Sequence, residues 1–219
     1  MIHVHVEVEK NINLVVEEIS EVQVNHFEGN NLLKYFLEFE LVQIARIEDS
    51  EEKAKRIIEE LFKNKFDKGG KPYVSHLYRV SSKLEGKKLK TAGLLHDTFE
   101  DTEITYNDLL EIGFDKTVLD IVQIVTNEKS DEQALTQDEK LEKYSQKIDK
   151  IIASKNIGAI MLKESDMSDN FNEERLKKLS PSQREWFAQK YEPQLKKLRD
   201  YLKKQDQNIQ SQMWLDIFC

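Results

Sequence analysis

The stretch Ala92–Thr102, AGLLHDTFEDT, sets His96, Asp97, Glu100 and Asp101 within six residues, directly behind small and apolar side chains. Ala92 to Leu95 reads as the wall of a core. Successive helix residues turn by about 100°, so the four ionisable groups fall within an arc of roughly 140°. One helix end is therefore expected to present an imidazole and three carboxylates to one cavity. Carboxylates crowded so closely repel each other unless a cation or a shared proton relieves them. For an isolated His-Asp pair a solvated, N-cap-like acidic patch is much the commoner reading, so the decision rests on what the rest of the chain brings to this point.

Two segments bring suitable partners. In DKGGKPYVSH, Asp67–His76, a glycine-containing loop is followed by Pro72, suited to a first helical turn, and then by His76 on the helix it opens. In IGAIMLKESDMSDN, Ile157–Asn170, the residues Lys163, Asp166 and Asn170 are spaced i, i+3, i+7 and share one helical face. Two imidazoles and two carboxylates, His76, His96, Asp97 and Asp166, form a mixed nitrogen and oxygen set suited to manganese, iron or zinc. Taken singly, His76 reads as a satisfied surface or core histidine and Asp166 as a solvated helix residue.

The rest of the chain limits the possibilities. Its 219 residues suit one ordinary domain with an appendage. With 34% charged residues, 7 Gly and 3 Pro, it reads as mainly helical. A net charge of −8 argues against nonspecific nucleic-acid binding, which needs a basic surface. No apolar run reaches the length of a membrane span, and MIHVHVEVEK lacks the features of a secretion signal, so a cytoplasmic location is expected. Cys219 is the single cysteine, which leaves no intrachain disulfide and no thiolate metal site.

Strict alternation over Ile2–Glu9 predicts a strand, and Glu21–Glu28 and Lys34–Ala45 carry similar β-favouring patterns around the turn-like EGNN. Residues 13–19 are ambiguous between strand and helix. The expected fold class is thus mainly α: an all-helical core preceded by a small N-terminal antiparallel β element. The expected divisions are a β-rich extension over 1–47, a metal-dependent domain over 48–204 and a C-terminal tail over 205–219. The core begins at EDSEEKAKRIIEELFKNKF, where Asp49 or Ser50 offers an N-cap. His3 and His5 share a strand face that reads as solvated, as does the lysine-rich turn at 87, 88 and 90. The apolar SQMWLDIFC at the C-terminus suits packing on the domain or against a partner equally.

Taken together and in this order, GKPYVSH, GLLHDTFEDTEIT and LKESDMSDN resemble the hydrolase half of the RelA/SpoT alarmone enzymes and, more closely, the small alarmone hydrolases of the HD phosphohydrolase superfamily. The resemblance covers about Ser50 to Leu198, and its Glu-Asp-Thr after the His-Asp pair separates it from generic HD proteins. It implies an HD-domain core with His76, His96, Asp97 and Asp166 as metal ligands, manganese being the usual ion and another divalent metal an alternative. It implies Glu100 and Asp101 as the catalytic pair. Lys68, Lys163 and Asn170 match positions near nucleotide or phosphate, Tyr73 matches a pocket wall, and Tyr191 a contact to base or ribose, although a tyrosine at either place is more often packing.

Four positions depart from the family pattern. Leu77 stands for a frequent proline, Phe62 and Lys65 for a histidine and a glutamine, and Asp67 for an arginine. These departures affect base and ribose recognition more than the metal set. The implied reaction is removal of the 3′-diphosphate of guanosine tetra- or pentaphosphate by a stand-alone hydrolase, with a small nucleotide as partner, no nucleic acid and no membrane. Two other readings stay open: hydrolysis of another phosphorylated nucleotide, such as the 2′-phosphate of NADPH, and a catalytically silent nucleotide-binding regulator. The oligomeric state is left open.

Overall fold

Asp49 opens the first helix of the core as the sequence predicts, its carboxylate accepting from the backbone N–H groups of Glu51 and Glu52 at 2.9 and 3.0 Å. The computed structural model describes residues 27–67, 70–127 and 135–218, with side chains through 207. After a 3-10 turn at Asn31–Lys34, the helices are α1 (Glu38–Ala45), α2 (Ser50–Leu61), α3 (Val74–Ser82), α4 (Lys87–Leu95), the single turn α5 (Thr98–Asp101), α6 (Tyr106–Glu111), α7 (Lys116–Val125), α8 (Gln137–Ala153), α9 (Ile157–Asn170), the short α10 (Glu173–Leu176) and the long α11 (Pro181–Phe218). Among the described residues β pairing is confined to one isolated antiparallel bridge, Phe66 with Pro72, which closes the loop before α3.

Helix α4 is the axis of the fold. Its residues Thr91 to Leu95 are all buried, and it packs against α2, α3, α7 and α9. Such a position requires small residues. A Cβ on Gly93 would lie 2.9 Å from both Ser81 Cα and Leu84 Cδ1, so glycine is what lets α3 and α4 cross this closely. Ser81 Oγ donates to Lys90 O at 2.9 Å across the same crossing, and Ser165 Oγ donates to Val80 O at 2.9 Å, fastening α9 to α3. The helices that carry His76, His96 and Asp166 are thus locked to one another before any cation is considered.

Three expectations change here. Lys34–Ala45 is not a strand: it holds the end of the 3-10 turn and α1. The Phe-Leu-Glu-Phe-Glu-Leu alternation is misleading, because Leu37 and Phe39 remain 64% and 53% exposed while Leu41 and Ile44, i and i+3, are buried. Glu38 and Glu40 favour a helix start through the macrodipole, and Glu40 accepts from the Leu37 N–H at 2.9 Å. The expected strands over Ile2–Glu9 and most of Glu21–Glu28 lie outside the described residues, as do His3, His5, Lys68 and Cys219.

The expected break near residue 47 marks no change in packing. Phe27, Leu32, Phe36, Leu41 and Ile44 belong to the same buried core as α4 and α7. Lys53 of α2 reinforces this join, its Nζ donating to Ala45 O at 3.0 Å and Ile112 O at 2.9 Å, where the carbonyl ends of α1 and α6 favour a cation. At the other end, α11 runs through residue 204 to Phe218, so the backbone has no boundary where a separate tail was expected.

Candidate metal centre

The helix quoted first does not run through its acidic cluster. α4 ends at Leu95, His96 caps it, Asp97 sits at φ −95°, ψ 0°, and a new turn begins at Thr98. The break redirects the four groups. His96 and Asp97 face inward toward α3 and α9, while Glu100 and Asp101 lie on the separate turn α5 and engage different neighbours.

Four of the expected residues converge. His96 Nε2 lies 3.2 Å from Asp97 Oδ2 and 3.7 Å from Asp166 Oδ1. His76 Nε2 lies 3.7 and 3.4 Å from the same two oxygens. His76, His96 and Asp97 each offer a ligand atom within 4.8 Å of the others. The imidazoles meet edge to face, 5.3 Å between centroids.

Both rings are oriented from behind. His76 Nδ1 bonds Asp169 Oδ2 at 2.7 Å, and His96 Nδ1 bonds the Gly93 carbonyl at 2.9 Å. Each Nδ1 therefore carries the ring proton of the neutral form, which leaves both Nε2 lone pairs aimed into the centre. His96 Nε2 is buried and makes no hydrogen bond among the described residues. Two nitrogen lone pairs and two carboxylate oxygens at a buried point, one nitrogen without a partner, fit a hard-to-borderline divalent ion.

The carboxylates are fixed as firmly. Asp97 Oδ2 accepts from the Tyr73 hydroxyl at 2.7 Å, and burial together with Asp97 and Asp101 pushes that phenol up, so it stays a donor. Asp166 accepts from Lys163 Nζ at 2.8 Å on one oxygen and from Asn170 Nδ2 at 2.6 Å on the other. Burial opposes ionisation of Asp166, but the Lys163 ammonium and the two imidazoles outweigh it and hold the carboxyl well below the usual range. Burial also works against charge on His96; Asp97 and Asp166 overcome it and raise the imidazole to about 9. The centre thus favours positive charge.

Glu100 Oε2 accepts from the backbone N–H of Asn127 at 3.1 Å and from the Asn127 side-chain amide, whose oxygen in turn accepts from Lys147 Nζ. Asp101 pairs with Lys65 at 2.5 Å on the rim, and Lys65 lies over the Tyr73 ring, 4.1 Å from its centroid. Phe62, the other departing residue of that helix end, is buried and stacks on Tyr73 at 5.4 Å. Lys163 and Asn170, expected near phosphate, hold Asp166. Tyr191, which the resemblance placed against base or ribose, is buried in a cluster with Tyr144, Phe171 and Phe187.

Several residues of this centre were missed in the sequence. Asp169 stands behind His76 and is held by Arg79, through Nε at 2.8 Å and an η nitrogen at 3.0 Å, and by Arg175 at 3.0 Å. Burial works against its ionisation, yet His76 and Arg79 keep its carboxyl far below the usual range. Its signal was present, since Asp169 follows Asp166 by three positions. Asn127 and Lys147 carried no local signal. Burial and the like charge of Lys163 push Lys147 down to about 7.

No protein-family model matches the chain. A guanosine-3′,5′-bis(diphosphate) 3′-pyrophosphohydrolase of Aquifex aeolicus is 34% identical over 131 residues, which cover 55% of this chain and 18% of that protein. The guanosine-3′,5′-bis(diphosphate) 3′-pyrophosphohydrolase MESH1 of Danio rerio is 44% identical over 70 residues, 29% of this chain and 38% of that protein. The chain therefore matches less than half the length of either relative. The solved structure of a metazoan orthologue of SpoT, described as hydrolysing ppGpp and playing a role in starvation responses, shares the fold with a TM-score of 0.50 at 19% identity, over 71% of this chain and 95% of that one. Across its helical core the chain is therefore similar in two sequence segments to guanosine-3′,5′-bis(diphosphate) 3′-pyrophosphohydrolases, and in fold to the metazoan SpoT orthologue.

Proposed function

We propose that this chain is a metal-dependent pyrophosphohydrolase that removes the 3′-diphosphate of guanosine tetra- or pentaphosphate. The observation that carries the reading is the buried convergence of His76, His96, Asp97 and Asp166, with the His96 Nε2 left without a hydrogen bond among the described residues. The names of the two relatives support the substrate. These four residues would hold the divalent ion, manganese in our reading, and the bound ion would supply Lewis-acid polarisation of a phosphoryl oxygen and a lowered pKa for water.

The side chains around the centre would do the rest. Glu100 is the group we assign to orient and deprotonate the attacking water, with Asp101 assisting proton transfer. Lys163 and Lys147, and Lys68, which lies outside the described residues, would offset phosphate charge. The water oxygen bonds to the phosphorus attached to the ribose 3′ oxygen, and the P–O3′ bond breaks. The 3′ oxygen leaves with a proton, giving GDP or GTP and intact pyrophosphate.

Manganese-loaded protein incubated with guanosine tetraphosphate should yield GDP and pyrophosphate on anion-exchange chromatography. Asp166→Ala should lose both metal content and turnover. Full metal content with normal turnover in that variant would remove Asp166 from the ligand set, and release of single phosphates would replace this reaction with a phosphomonoesterase.

A further inference from the structure

We infer that Asn127 is a positioning residue for the Glu100 carboxylate, and that Lys147 holds the Asn127 amide in the orientation this requires. The inference rests on the reading of Glu100 as the water-activating group and adds to it the device that aims that group.

Glu100 needs such a device. It lies on the single turn α5, and a glutamate side chain has three free torsions, so nothing in its own element fixes where the carboxylate points. Asn127 supplies two donors to the same oxygen, the backbone N–H at 3.1 Å and the side-chain Nδ2. Neither donor is needed where Asn127 itself sits. The end of α7 is closed one residue earlier by Thr126, whose N–H and Oγ1 both donate to Val122 O, at 3.0 and 2.8 Å. Asn127 is therefore free of capping duty, and both of its N–H groups reach across 27 positions of sequence to Glu100.

The amide cannot be reversed without cost. The Glu100 carboxylate can only accept, so Nδ2 faces it, and this turns Oδ1 toward Lys147 Nζ, which donates to it. Lys147 on α8 thereby completes a short chain of hydrogen bonds, ammonium to amide to carboxylate, that joins α8, the end of α7 and α5. A carboxylate held on one oxygen in this way keeps its other oxygen available for water.

The test is a mutant cycle in the full chain loaded with manganese, reading kcat and KM for pyrophosphate release from guanosine tetraphosphate together with bound metal. Asn127→Ala should lower kcat by roughly 10- to 100-fold, the effect of losing a hydrogen bond to a charged group. KM should stay within about twofold and metal content should be unchanged. Asn127→Asp keeps the shape but its side chain has no N–H to give and sets a second carboxylate against Glu100, so it should lose at least as much; it also decides the matter if the alanine variant does not fold.

The coupling separates aiming from mere support. In a Glu100→Gln background, Asn127→Ala should cost less than about threefold further, because the group it aims is already disabled. Full multiplication of the two losses, or wild-type kcat in Asn127→Asp, would overturn the inference while leaving Glu100 in its role. Wild-type turnover in Glu100→Gln alone would instead remove the reading on which the inference rests, and the inference with it.

Discussion

At the scale of single residues, the proposed centre is a set of donors whose orientation is fixed from behind. Asp169 is the clearest case, binding His76 Nδ1 while two arginines hold its own oxygens. Asp169→Asn keeps the shape but weakens the acceptor. Manganese affinity, measured by calorimetric titration, should fall about 10- to 100-fold, the usual effect of losing a carboxylate behind a ligating histidine. An unchanged affinity would mean that packing alone sets the orientation of the His76 ring. The residues legible in the sequence are those whose type implies metal chemistry: His76, His96, Asp97 and Asp166. Asn127 was not legible, because its role comes from a contact across 27 positions that no local spacing encodes; Asp169 carried only its i+3 spacing from Asp166, while the contact that gives it a role spans 93 positions.

At the scale of elements, Asp108 does for the N-terminal segment what the sequence did not anticipate. One of its oxygens accepts from the Asn31 N–H at 2.9 Å, and the other from Asn31 Nδ2 at 3.0 Å and from the Thr105 N–H and hydroxyl, both at 2.7 Å. Burial opposes its ionisation, and these donors prevail, so its carboxyl is lowered from the ordinary 3.8. A group lowered on folding adds stability above its unfolded value and loses it as the pH falls through its folded value. Asp108→Asn should therefore cost roughly 1.5–3 kcal/mol at neutral pH, the range for hydrogen bonds to a charged group. The gap in melting temperature between variant and parent should shrink steadily below about pH 4. A gap that does not change with pH would assign the effect to shape rather than charge. The same region shows why α1 was misread: alternation is a two-residue signal, and here exposed Leu37 and Phe39 supplied it while Leu41 and Ile44 did the packing.

At the scale of the whole molecule, the helical core from α2 onward was legible because Asp49, the apolar periodicity and the three motifs all agree. The junction with residues 27–47 was not legible, because it depends on side chains that only the fold brings together. Phe27, Leu32, Phe36, Leu41 and Ile44 are five buried side chains of one core, each contributing about 1.5–3 kcal/mol by burial. A chain beginning at Glu48 should lose its cooperative melt by circular dichroism, since that sum rivals the whole stability of a typical domain. A sharp transition close to that of the full chain would show the segment to be dispensable after all. The centre itself has a further consequence at this scale. Its proposed ligands come from α3, from the junction of α4 with α5, and from α9, so no partly unfolded chain could hold the ion as the native one does. Ion binding is then drawn into the folding equilibrium, and an ion present at a hundred times its dissociation constant would add about 2.7 kcal/mol to native stability. Where proteases remove whatever transiently opens, the lifetime of this protein would follow the supply of its ion, making its abundance a readout of metal availability before any nucleotide is met.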